Sequence, residues 1–149
     1  MANAKKPRKW YGLVVHHSGG SVRDTVGSIR RYHIDQRKYR DIGYHYVFQL
    51  DGKGRFHLKA GRSTELPGCH GNPKANSTML GVCVAGNYDR DRLSDDQYKD
   101  ILGGVVHILQ KHGIAPEKVW GHCNIKPTDC PGTLFPLNSL KQDVKDRMR

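Results

Sequence analysis

Gly121-His122-Cys123-Asn124-Ile125-Lys126-Pro127-Thr128-Asp129-Cys130-Pro131-Gly132, read with Val14-Val15-His16-His17-Ser18 near the other end of the chain, decides how this sequence must fold. In the first stretch an imidazole and a thiol, His122 and Cys130, stand eight residues apart across a loop that contains Pro127. That separation suits two metal ligands on one loop and is too long for a tight knuckle. In the second stretch a histidine pair closes an apolar run. Successive side chains of a strand point to opposite faces, so one of His16 and His17 reaches a shared site and the other is its neighbour. Two imidazoles and a thiolate converging on glycine-bounded strand ends supply three ligands for zinc. A fourth position stays open to water, as in a hydrolytic rather than a structural zinc.

The rest of the chain can be read outward from these ends. Leu13-Val14-Val15, bounded by Ser18-Gly19-Gly20, marks a buried strand over residues 10–17. Asp24 or Thr25 caps a helix over about residues 25–37, with Val26, Ile29 and His33 inward. Residues 43–50 read as a strand, turned by Asp51-Gly52-Lys53-Gly54 and answered by residues 55–59 in a hairpin. A Gly/Pro/Asn-rich loop over residues 61–78 leads to a strand at 80–85. Ser94-Asp95-Asp96-Gln97 is a capping box. It opens the longest helix, whose apolar set Tyr98, Ile101, Leu102, Val105, Ile108 and Leu109 runs at helical spacing to Gly113. A short strand at 118–121 delivers His122, and a basic helix begins near Asn138. Strands interleaved with helices give a single α/β domain whose central sheet, because of the hairpin, is mixed and flanked by helices.

Composition sets outer bounds. With 149 residues and 36% hydrophobic content the chain has one core to build, so residues 10–149 are expected as one domain behind a basic N-terminal arm at 1–9. The net charge of +11 favours long-range attraction to polyanions, but no basic run is interleaved with aromatics as a nucleic-acid motif would be. Direct nucleic-acid binding is therefore not expected. Behind the charged N-terminus there is no apolar stretch long enough for a signal or transmembrane segment, so the protein is expected to be made and kept in the cytosol unless something releases it. In that reducing compartment Cys69, Cys83, Cys123 and Cys130 are expected as thiols or ligands; Cys69 and Cys83 read as buried small apolar residues.

The succession Val-Val-His-His-Ser (14–18), Ile-Gly-Tyr-His-Tyr-Val-Phe (42–48), Gly-Val-Cys-Val-Ala-Gly-Asn (81–87) and the closing Gly121 to Gly132 motif resembles the type-two N-acetylmuramoyl-L-alanine amidases. That family includes the lysozyme-amidases of T-odd phages and the animal peptidoglycan recognition proteins. The resemblance covers roughly residues 10–140. It implies a zinc held by His16, His122 and Cys130 at one edge of a substrate groove, with His17 as the neighbour. Tyr44 matches a catalytic tyrosine, although on its own a tyrosine beside Tyr46 reads as strand packing. Two residues before the cysteine ligand the phage enzymes usually carry a lysine and catalytic animal members often a threonine; here it is Thr128, with Lys126 close by. His70, in Gly-Cys-His-Gly, resembles a histidine of the substrate groove, and His17 is assigned to the same wall.

The implied reaction is hydrolysis of the amide between N-acetylmuramic acid and L-alanine in peptidoglycan. Zinc would polarise the carbonyl and activate water, while the Tyr44 phenol and the Thr128 hydroxyl would donate to the developing oxyanion. The size and the cytosolic start suit a phage endolysin that reaches the wall after the membrane is permeabilised, acting as a monomer. Two rival readings keep the fold. One is a peptidoglycan-binding module without turnover, against which Cys130 argues. The other is a regulator of the phage RNA polymerase, a role that some phage relatives also have and that a basic arm permits. His33, His57, His107 and His112 are given no role.

Overall fold

The computed structural model describes residues 8–149, so most of the arm expected at 1–9 lies outside the described residues. Five strands form one mixed sheet: β1 (Gly12–His17), β2 (Tyr46–Leu50), β3 (Phe56–Ala60), β4 (Met79–Val84) and β5 (Val119–Gly121), in the order β3-β2-β4-β1-β5. The β2–β3 hairpin is antiparallel and the other three pairings are parallel. Parallel neighbours need crossover connections, and helices supply them. α1 (Val26–Asp35) lies between β1 and β2, the short α2 (Pro73–Thr78) runs into β4, and α3 (Asp95–His112) lies between β4 and β5. α4 (Leu137–Arg147) closes the chain.

Both α1 and α3 start where their sequences predict. Thr25 and Ser28 form a capping box on α1, and Ser94 and Gln97 form one on α3. α3 ends on Gly113 at φ 65°, the left-handed conformation that favours glycine. Its inner face, Ile101, Leu102, Val105, Ile108 and Leu109, packs with Leu13, Val15, Val82, Val84 and Phe48 of the sheet and with Leu140 and Val144 of α4. Alternation turns the intervening residues the other way: Val14 joins Ala75 and Met79, and Val47 joins Cys83, Ile29 and Ile42. One face of the sheet thus packs against α3 and α4, and the other, partly covered by residues of α1 and α2, carries His16.

Two local readings need correcting. The stretch read as a 61–78 loop contains α2, started by Asn72, whose side chain accepts the Ala75 N–H, with Pro73 at the first helical position. β2 begins at Tyr46, not at residue 43. Gly43 and His45 bond instead to surrounding segments: the Gly43 N–H donates to His33 Nδ1 at 2.9 Å and its carbonyl accepts from the Cys69 N–H at 3.0 Å. Tyr44 is therefore set on a bent segment ahead of the strand. No described helix is long and apolar enough to cross a membrane.

Candidate metal centre and groove

His16 and His122 arrive at one place because β1 and β5 are parallel neighbours. Val15 pairs with Gly121, so His16, the next residue of β1, and His122, the first residue beyond β5, stand side by side at the carboxyl edge of the sheet, where open α/β sheets place their ligands. Their ring centroids are 4.5 Å apart. Cys130 returns to the same edge because the Cys123 N–H donates to its carbonyl at 2.7 Å, closing the loop between the two. The His17 N–H points at Cys130 Sγ from 3.4 Å. The ligand atoms of His16, His122 and Cys130 all lie within 4.8 Å of one another.

These three residues fit a cation. Cys130 Sγ stands 3.8 Å from His16 Nδ1. His122 Nε2 is buried without a hydrogen-bond partner, an omission that ordinarily costs about 1–3 kcal/mol. Burial holds His16 well below the usual histidine range, reinforced by the neighbouring His70 and His122, so its ring is neutral with a lone pair to offer. His122 is lowered for the same first reason, with Lys126 adding to it. Burial pushes the Cys130 thiol up to about 12, partly offset by the His17 N–H. A thiolate here needs a positive partner, and zinc bound by two imidazoles would be one.

Around this point opens a groove whose walls include His17, Tyr44, His70, Lys126 and Thr128, so every residue singled out from the sequence lines it. The His16 and Tyr44 rings are 5.0 Å apart. Burial raises the Tyr44 phenol well above its ordinary range, with the Cys83 and Cys130 thiols adding to the effect, so it stays protonated and able to donate. Thr128 Oγ1 accepts the Cys130 N–H at 3.3 Å, leaving its own proton for another acceptor. His17 faces away from His16: its Nδ1 accepts the Tyr88 N–H at 3.0 Å, which leaves the ring proton on Nε2. Both ring nitrogens of His70 are engaged within the protein, by His16 and by the Met79 carbonyl.

Sequence reasoning missed part of the wall. His33, given no role, is buried and lines the groove with Arg37, Tyr39 and Cys69. Cys69, read as buried, is half-exposed there. The signal for His33 was present, since it lies on the inward face of α1, but nothing local said that this face meets the site. No carboxylate lines the groove among the described residues.

Comparison with known proteins finds matches to both the sequence and the fold. The profile of the N-acetylmuramoyl-L-alanine amidase family matches residues 6–133. A peptidoglycan-recognition protein of Drosophila melanogaster is 34% identical over 120 residues, which are 79% of this chain and 62% of that protein. An N-acetylmuramoyl-L-alanine amidase of Sus scrofa is 30% identical over 131 residues, 80% of this chain and only 21% of that much longer protein. Among solved structures, the endolysin N-acetylmuramoyl-L-alanine amidase LysCS from Clostridium intestinale superposes with a TM-score of 0.78 at 25% identity, covering 91% of this chain and 84% of that one.

Proposed function

Because the chain belongs to the N-acetylmuramoyl-L-alanine amidase family, we propose that it is a zinc-dependent peptidoglycan hydrolase cutting the amide between N-acetylmuramic acid and L-alanine. The observation that carries this reading is the convergence of His16, His122 and Cys130 in a groove that also presents Tyr44 and Thr128. In this reading those three residues hold the zinc and residues 10–149 are the amidase domain. Zinc held there would supply Lewis acidity, polarising the scissile carbonyl and lowering the pKa of a nearby water.

The chain's own groups do the rest. An amide carbonyl gains negative charge on its oxygen as it becomes tetrahedral, and donors fixed beforehand lower that barrier without reorganising. Tyr44, kept protonated by burial, is one such donor, and the Thr128 hydroxyl is a second. His17 Nε2–H and the Lys126 ammonium add donors along the wall for the polar glycan and stem peptide. The reading extends to a phage endolysin acting from the host cytoplasm after the membrane is permeabilised. The +11 charge, suited to an anionic envelope, and the endolysin among the similar structures support that extension.

The test is to incubate purified protein with peptidoglycan and to assay new alanine amino groups with and without chelator. Release that stops on zinc removal and returns on zinc addition is expected. Binding without release would favour a recognition module, and release indifferent to chelation would remove zinc from the account.

A further inference from the structure

His70 sits in a slot cut for its ring. A Cβ added to Gly81 would come within 2.6 Å of its Cγ, and one added to Gly68 within 2.4 Å of its Cδ2, so side chains larger than glycine at either place would drive the ring out. The backbone of the same loop is pinned, because the His70 and Gly71 N–H groups both donate to Asn76 Oδ1 at 2.8 Å. The ring is thus confined by two glycines and pinned at its root.

Its two nitrogens have unequal partners. Nε2 lies 2.9 Å from the carbonyl oxygen of Met79. A carbonyl only accepts, so the proton of a neutral His70 must be on Nε2 and its Nδ1 must carry the lone pair. That lone pair faces His16 Nε2 at 3.0 Å. His16 is 1% exposed, and its Nε2 can satisfy His70 only by donating. The remaining nitrogen of His16, Nδ1, is then bare, and it is the atom that faces Cys130 Sγ. One backbone carbonyl fixes the proton positions on two successive imidazoles.

We propose that His70 is a positioning residue whose Nδ1 holds the proton of His16 on Nε2, so that His16 is presented to the metal through Nδ1. The inference rests on the zinc reading above and gives His70 a part other than direct contact with substrate. Metal-bound histidines usually donate their second N–H to a carboxylate, a backbone carbonyl or water. Here a neutral imidazole takes that place, which keeps the ligand oriented without adding negative charge to a groove lined by no carboxylate among the described residues.

Zinc affinity of the full chain, measured by competition with a chromogenic chelator, separates the outcomes. Removing such an outer partner typically costs 10- to 100-fold in metal affinity, and about that loss is expected for His70→Phe, which keeps the ring shape and removes the acceptor. His70→Asn, whose Oδ1 can stand in for Nδ1, should recover most of it. A folded His70→Phe that binds zinc as tightly as the parent overturns the inference while leaving the zinc reading intact; a parent that binds no zinc overturns both. If His70→Phe does not fold, ¹⁵N spectra of the zinc-loaded parent decide. The His16 ring proton is expected on Nε2, and a proton on Nδ1 overturns the proposal.

Discussion

Acid should unfold this protein in a way traceable to one buried ring, His45. The residue is fully buried, packed edge-on to Trp10 with centroids 4.8 Å apart. Its Nδ1 accepts the Gly81 N–H at 3.0 Å and its Nε2–H donates to the Leu66 carbonyl at 2.9 Å. A second proton would have to enter at Nδ1, setting two donors against each other and burying a charge. Burial accordingly lowers the group from 6.5 to about 4, despite the opposing help of the Leu66 carbonyl. The unfolded chain takes up this proton near pH 6.5 while the folded chain resists until about 4, so the contribution is complete above 6.5 and drains away as pH falls towards 4.

The gap between 6.5 and about 4 corresponds to roughly 3 kcal/mol in full, most of which is already lost at pH 4.5. His33 and His70 are lowered to about 4 as well, also chiefly by burial, so the whole protein should lose more than this. Substituting His45→Asn isolates the one group, because an amide does not titrate yet offers Oδ1 to the Gly81 N–H. Urea unfolding at pH 7 and pH 4.5, with chelator throughout so that metal release cancels, gives the four free energies needed. The variant starts less stable, having lost the bond to Leu66, but its drop between the two pH values should be smaller than the parent's by roughly 2–3 kcal/mol. Equal drops would refute the reasoning.

Two further outcomes follow from the site. Cys130→Ser should abolish stoichiometric zinc retention measured by metal analysis after gel filtration, and a variant that keeps tight zinc would show that the ligand set is wrong. Tyr44→Phe should lower kcat on peptidoglycan by on the order of a hundredfold with zinc content unchanged, and a rate within a few-fold of the parent would remove the phenol from the oxyanion site.

What could be read from the chain tracks how local the deciding forces are. α3 is written in its own residues: the Ser94–Gln97 box, the helical recurrence to Leu109 and Gly113 as terminator all lie within one element. The candidate ligands were legible because residue type and strand alternation carry the information, and the resemblance then chose His16 over His17. α2 was missed although Asn72-Pro73 is a sound start signal, because six residues of polar, short-chain sequence carry no helical periodicity. Tyr44 was misplaced into β2 because its bend is imposed by partners distant in sequence, His33 and Cys69, which bond to Gly43. The engagement of His70 by His16 spans 54 residues and depends on how the 61–78 segment folds over β4; no pattern in the sequence encodes it. Pocket walls are assembled by tertiary packing, which is why the groove-lining side of α1 read only as an inward face.

Product analysis tests the central claim most directly. Peptidoglycan digested with the zinc-loaded protein should yield, by mass spectrometry, free stem peptides beginning with L-alanine and glycan strands with intact lactyl groups and no new reducing ends. New reducing ends, or peptides cut within the stem, would contradict an amidase reading of the site built on His16, His122 and Cys130.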